Sequence, residues 1–256
     1  MTVISSDTLF HFTPTQENLV SILINEFRPK LSVESFRHIL QHLPASEQMP
    51  ESGIPMVCFC DIPLSQVADH MDNYGHYGIG LKKSWGAAKG ITPVLYIHEQ
   101  SPTSQSAARA VQLLEQLHEN SAADHLKSLA MDVGQLVYLL KPYEGILKRA
   151  GRPDRQVRFY DEREWRYLPA ELESIPAITP EALADPEASR FARDMVDRLP
   201  PLSFDPDDIN YVIVRNDEEV LPMYYALRAI KDKYHDSVKD LLVTKLISAE
   251  RIKADF

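Results

Sequence analysis

Apolar and polar residues alternate through Leu9-Phe10-His11-Phe12-Thr13, which predicts a short first strand over residues 9–13. Phe10 and Phe12 then face one way and His11 and Thr13 the other. Thr13-Pro14-Thr15-Gln16 comes next with a cap hydroxyl, a proline at the first helical position and a Gln three residues after the cap, so a helix is predicted to start there. Leu19, Ile22 and Leu23 form its apolar stripe, and Phe27 with Pro29 marks its exit. Residues 54–63 are too short and too apolar for a surface helix and read as a buried strand ending at Pro63. A helix is expected from Ser65 to about residue 73. Gly75, Gly78 and Gly80 interrupt the next stretch, and 78–81 reads as a strand whose glycines let another backbone or a ligand approach.

Further along, 82–89 reads as a short helix, 93–98 as a strand, and 105–150 as helical with divisions at Gly134 and Pro142. Strand character returns over 156–169. There Glu162, Glu164 and Arg166 are expected on one face and Arg163, Trp165 and Tyr167 on the other. Residues 175–201, rich in Pro, Ala, Asp and Glu, read as an excursion with one short helix. A strand at 211–214 and an apolar-faced helix over 218–234 come next, while 241–252 fits helix or strand equally. Strands interleaved irregularly with helices predict an α+β fold.

At 256 residues, 44% hydrophobic and 25% charged, the chain has an ordinary globular composition with enough length for a full core. One domain over 1–256 is expected, with a helical insertion at 105–150 and a surface excursion at 171–205. Cys58 and Cys60, two apart on one strand, point to the same face and are poorly placed for a disulfide. The sequence shows neither a leader pattern nor an apolar run of membrane-spanning length, so a cytoplasmic protein without membrane contact is expected. The net charge of −10 argues against a general nucleic-acid binder. A local exception is Lys148, Arg149, Arg152, Arg155 and Arg158 against Asp154, which is either a solvated helix end or a site for an anion. No GxGxxG, Walker loop or HExxH occurs.

Candidate chemistry lies in three stretches. His11 shares a strand face with Thr13 and is either a satisfied structural histidine or part of a cleft. In Tyr74-Gly75-His76-Tyr77-Gly78, rings beside glycines have clearance to stack on a planar heterocycle, through Tyr77 or Tyr74, or else they cap the core. Glu164 beside Arg166 would stay ionised near neutral pH, as a site carboxylate or as an ordinary sheet pair. Asp69, His70, Asp72 and His76 lack a defined metal-ligand spacing.

Leu9-Phe10-His11-Phe12-Thr13, then Cys58-Phe59-Cys60-Asp61-Ile62-Pro63-Leu64, Tyr74 to Leu81 with Lys83 and Trp85, and Glu162-Arg163-Glu164-Trp165-Arg166-Tyr167 together resemble the AbiGi-type abortive phage resistance proteins. That family, labelled the antitoxin side of a phage-exclusion system, is similar in turn to ADP-ribosyltransferase-fold proteins with a His, Tyr and Glu signature. The resemblance implies a split, mixed or antiparallel sheet with flanking helices, and NAD as the substrate. His11 would hold the adenosine-side ribose, with Thr13 beside it. Tyr77 would stack on nicotinamide, or Tyr74 in its place, and Glu164 would be the catalytic carboxylate at the nicotinamide ribose. Arg166, or the patch between Arg152 and Arg158, would hold the pyrophosphate. ADP-ribose would pass to a protein or nucleic-acid acceptor. A Ser-Thr-Ser element, found in one transferase branch, is not evident, and Cys58 to Pro63 sits where it would fall. The alternative implied is a non-enzymatic antitoxin that keeps the fold and binds a cognate toxin through the acidic surface of 171–219.

Overall fold

The computed structural model describes residues 5–44, 51–120, 124–147, 153–174, 178–230 and 234–255. The first strand, β1 (Thr8–Thr13), leads into α1 (Gln16–Asn25), whose cap is Thr15 rather than Thr13. Thr13 is retained by the strand, and the Thr15 hydroxyl accepts from Asn18 N–H. Next come β2 (Lys30–Ser35), the single turn α2 (Arg37–Leu40), β3 (Glu51–Cys60), α3 (Ala68–Tyr74), β4 (Tyr77–Lys82) and α4 (Lys83–Ala88). The strand expected at 93–98 is two pieces, β5 (Thr92–Pro93) and β6 (Leu95–Ile97), which belong to different sheets.

The helical stretch ends earlier than its periodicity suggested. After α5 (Pro102–Asn120) and α6 (Asp124–Val137), which runs through Gly134, the chain extends into β7 (Leu140–Pro142) and β8 (Gly145–Leu147). Pro142 cannot continue a helix, and β6 offers a parallel partner, so Leu140 to Pro142 pair there instead. After β9 (Arg155–Val157), Glu162 ends a 3-10 turn over Phe159–Glu162 rather than joining the strand. Arg163 is left-handed at φ 45°, and β10 begins at Glu164 (Glu164–Tyr167).

The excursion holds two helices, not one. α7 (Pro180–Ala184) and α8 (Pro186–Asp197) each start with a proline behind a side-chain cap, Thr179 and Asp185. β11 (Ile209–Val214) and α9 (Val220–Ala229) come after them. The ambiguous C-terminal stretch contains both structures, α10 (Asp236–Val243), β12 (Leu246–Ser248) and α11 (Ala249–Asp255).

Among the described residues, eight strands form one mixed sheet in the order β12-β11-β4-β1-β3-β10-β5, with β2 on β3. All pairings in it are antiparallel except β11 with β12. Both faces are buried. Leu9, Phe59, Ile79, Leu81, Val212 and Val214 pack one face against α1, α4, α9 and α10. Phe10, Phe12, Cys60 and Ile213 pack the other against α3 and α11, and Ile54 and Met56 continue it beneath α2 and α5. Gly78 and Gly80 lie directly across from Phe12 and Phe10. A Cβ at either glycine would come within 2.8 Å of a phenylalanine ring carbon, so the close approach these glycines allow is by rings of the neighbouring strand.

One feature of the sheet positions the site. β1 pairs with β4 along its whole length, Thr8 with Lys82 through Thr13 with Tyr77, but pairs with β3 only where Phe10 meets Cys60. Beyond that pair the two central strands diverge.

Candidate functional site

The divergence opens a cavity of about 1170 Å³, lined by His11, Thr13, Cys58, Tyr74, Lys141 and Glu164 among others. Glu164 is directly across from Cys60, which is across from Phe10, so Glu164 shares a sheet face with Phe10, and His11 is on the opposite face. Both reach the cavity because it penetrates the sheet between β1 and β3.

His11 spans that gap. Its Nδ1 is 2.8 Å from the Cys58 carbonyl oxygen, and its ring meets Phe27 and Phe59 edge-on at 5.2 and 5.8 Å. Burial pushes its pKa below the ordinary value, so the ring is neutral. A carbonyl only accepts, so Nδ1 carries the proton and Nε2 is left as an acceptor.

Glu164 anchors a network of buried charge. Oε1 accepts from Arg166 Nε at 2.7 Å, Oε2 accepts from Lys141 Nζ, and its backbone N–H donates to the Tyr96 hydroxyl at 2.8 Å. Lys141 also donates to Glu162 at 2.7 Å, and Glu162 accepts from the Tyr74 hydroxyl. On the far side Arg166, 1% exposed, donates to Glu34 at 2.7 Å and to the Tyr138 carbonyl at 2.6 Å. The network thus holds three carboxylates, Glu34, Glu162 and Glu164, against two cations, Lys141 and Arg166. Burial acts to raise the pKa of Glu164, but Lys141 and Arg166 outweigh it and hold the carboxyl well below the usual range. Burial, with Glu164 adding to it, pushes the neighbouring Cys58 thiol up, so that sulfur is a neutral thiol and not a nucleophilic thiolate.

The residues singled out in the sequence divide accordingly. His11, Thr13, Tyr74 and Glu164 line the cavity together. Tyr77 is buried in the packing against α1 and α9, donates to Glu219 at 2.9 Å and has the Arg215 guanidinium 5.1 Å from its ring. Arg166 lies behind Glu164, committed to protein partners. Of the basic stretch, Arg155 donates to Asn73 and Arg158 to Asp161, whereas Lys148, Arg149 and Arg152 lie outside the described residues. Asp72 pairs with His76 and Lys253, His70 stacks on Tyr74 at 4.3 Å, and no metal-binding group of side chains occurs among the described residues. Both cysteines are free.

The sequence pattern does not point to Lys141, Glu34 or Tyr96. Lys141 comes after an amphipathic helix without a break in hydrophobic pattern, and only Pro142 signals the change to a strand. Among the described residues no helix is long and apolar enough to cross a membrane.

No solved structure gives a significant match to the chain. An abortive phage resistance protein AbiGi from Lactococcus lactis subsp. cremoris is 27% identical over 243 residues, covering 85% of this chain and 96% of the relative. A family model described as "Putative abortive phage resistance protein AbiGi, antitoxin" matches residues 26–215, a span that contains Cys58, Tyr74, Lys141, Glu164 and Arg166 but begins after His11. The chain belongs to the AbiGi family of abortive phage resistance proteins.

Proposed function

We propose that this phage-defence protein binds NAD in the cavity between β1 and β3 and transfers its ADP-ribose to a protein or nucleic-acid acceptor, with Glu164 as the catalytic carboxylate. The observation that carries this reading is an ionised carboxylate, held so by Lys141 and Arg166, in the wall of a cavity of dinucleotide dimensions that a neutral histidine also lines. NAD supplies the bond from ribose to nicotinamide, whose electron pair leaves with the nicotinamide. A fixed carboxylate stabilises the positive charge that then grows on the sugar. His11 Nε2 accepts from a ribose hydroxyl. Tyr74, rather than Tyr77, would stack on nicotinamide in this reading, which is supported by its lining of the cavity and its link through Glu162 to Lys141 beside Glu164. Arg166 acts as a positioning residue that fixes Glu164.

The test is release of nicotinamide and transfer of label from NAD by the purified protein. Glu164→Gln leaves two cations against two carboxylates in the network, so folding is kept while turnover falls by at least about a hundredfold. Turnover retained in that variant removes the catalytic role.

A second reading is favoured by one observation, that Lys141 and Arg166 already engage both Glu164 oxygens. In it the protein is a non-enzymatic antitoxin whose partner is a cognate toxin, in keeping with the family's description. Equal neutralisation of a copurifying toxin by the wild type and by Glu164→Gln, with no nicotinamide released, would favour it.

A further inference from the structure

A dinucleotide carries its negative charge on the diphosphate, and the network around Glu164 is no place for it. Three carboxylates there outnumber two cations, so a diphosphate brought alongside is repelled. Four lysines and arginines line the cavity among the described residues, Arg28, Lys30, Arg37 and Lys141. Lys141 is buried and already shared between Glu162 and Glu164. Arg37 follows the far end of β2, roughly 16 Å along the strand from Lys30. Arg28 and Lys30 are left, and among the described residues no salt bridge joins either of them to a carboxylate.

The local chain aims these two side chains together. Phe27 and Pro29 are buried while Arg28 and Lys30 are exposed, the alternation of an extended segment, so both cations project from one side and a ligand in the cavity can reach them. Their backbone is held at each end. Phe27 exchanges hydrogen bonds with Leu202, at 3.3 and 2.8 Å, and Lys30 opens the ladder to β3 opposite Met56. Residues directly opposed in a ladder share a sheet face, so Lys30 is on the face of Met56, Cys58 and Cys60, which is also the face of Glu164. Met56 and Cys60 are four residues apart, which sets Lys30 roughly 13 Å from Glu164 along the strand direction. At the same end the Phe27 ring meets His11, and the charge of Lys30 acts on the imidazole.

We infer that Arg28 and Lys30 bind the diphosphate of the dinucleotide, the arginine through a pair of parallel hydrogen bonds and the lysine as a point charge. This rests on the reading of the cavity as an NAD site. It assigns the anion contact that Arg166, committed to Glu34 and Glu164, does not supply.

Calorimetry on the full chain tests it with two probes, NAD and ADP-ribose. Arg28→Gln and Lys30→Gln should each weaken both probes about tenfold, the loss of a charge-assisted hydrogen bond, and Lys30→Arg should retain most of the affinity. Both residues are exposed and outside any ion pair, so the melting temperature of each variant should stay within about 2 °C of the wild type. Arg37→Gln makes the same charge change at the other end of β2 and should leave both affinities unaltered. From about 0.1 to about 1 M salt the Debye length drops from about 10 to about 3 Å, so wild-type affinity for ADP-ribose should fall severalfold while that of the double variant changes little. Undiminished binding of ADP-ribose by the double variant overturns the inference and leaves the NAD reading standing. A loss in Arg37→Gln equal to that in Arg28→Gln and Lys30→Gln also overturns it, because the effect is then a general field and not a contact. Wild-type protein that binds neither probe overturns both the inference and the NAD reading. Wild-type protein that binds ADP-ribose with the stated dependence on Arg28 and Lys30, but releases no nicotinamide from NAD, upholds the inference and sinks only the enzymatic reading.

Discussion

Replacing Lys141 by methionine is the sharpest test of the buried network. The change keeps the length of the side chain and removes one of the two cations, so Arg166 is left paired with Glu34 and Glu164 while Glu162 loses its lysine partner. Breaking a buried pair by removing one partner costs about 3–5 kcal/mol, and at roughly 2–4 °C per kcal/mol for a chain of this size the melting temperature falls by about 10 °C. The loss has a defined pH dependence. In the wild type Glu164 titrates well below its unfolded value of ~4.3, so its stabilisation is complete above that value and is lost as pH falls through the lower, folded-state one. Without Lys141, burial and mutual repulsion raise a carboxylate of the cluster above its unfolded value, and the folded state then binds the extra proton. The deficit of Lys141→Met relative to wild type therefore shrinks between about pH 7 and pH 5. Urea titration followed by fluorescence of the two tryptophans, Trp85 and Trp165, both packed in one core cluster, reads the difference. Combining Lys141→Met with Glu164→Gln restores a balance closer to neutral, so the double variant is more stable than the sum of the single losses. A loss under about 0.5 kcal/mol that does not change with pH would refute the network as described, because that is the range of an ordinary surface substitution.

Two glycines give opposite expectations. At Gly75, with φ +125°, an added Cβ would lie 2.1 Å from the Thr13 carbonyl oxygen, so Gly75→Ala should cost more than the ~1–3 kcal/mol of ordinary overpacking. Gly134 lies inside α6 with nothing within 4 Å of an added Cβ, so Gly134→Ala should raise stability by about 0.4–1 kcal/mol, both read by thermal denaturation. Burial raises both thiols, so Cys60 should resist a disulfide reagent at about pH 8 until the protein unfolds, and rapid native labelling would contradict its burial.

The strands that build the sheet were legible because burial on both faces leaves long apolar or alternating runs, as in β1, β3 and β11. The shared face of Glu164 and Arg166 came from strand parity alone. Glu162 was misplaced, because a run of charged residues before a strand carries no mark of a 3-10 turn or of a left-handed Arg163. Its contact with Lys141 survives only because the turn folds the carboxylate back toward the same cation as Glu164. Lys141 itself was invisible for a different reason. Three residues of edge strand contribute too few positions for a period of two to emerge after α6 has set a period near 3.6. The choice between Tyr74 and Tyr77 likewise depends on tertiary position. Tyr77 begins β4 and takes the parity of Ile79 and Leu81, facing the core, whereas Tyr74 ends α3 and turns to the cavity.

Strand parity also fixes why the cavity lies where it does. His11 and Glu164 project from opposite faces, and in a fully paired sheet the backbone layer would keep them apart. A continuous ladder between β1 and β3 would close that layer. It stops after Phe10 and Cys60, and the Cys58 carbonyl is met by the imidazole of His11 instead of a strand N–H. The aromatic rings of Phe10 and Phe12, lying over Gly80 and Gly78, bind β1 tightly to β4 and so hold it to that side of the gap. On the other side β10 fixes β3 through Val57 to Cys60, and its Arg166 ties that half to Glu34 of β2. The opening is thus held from both edges by ordinary pairing, and any ligand that needs the histidine and the carboxylate together must lie in it.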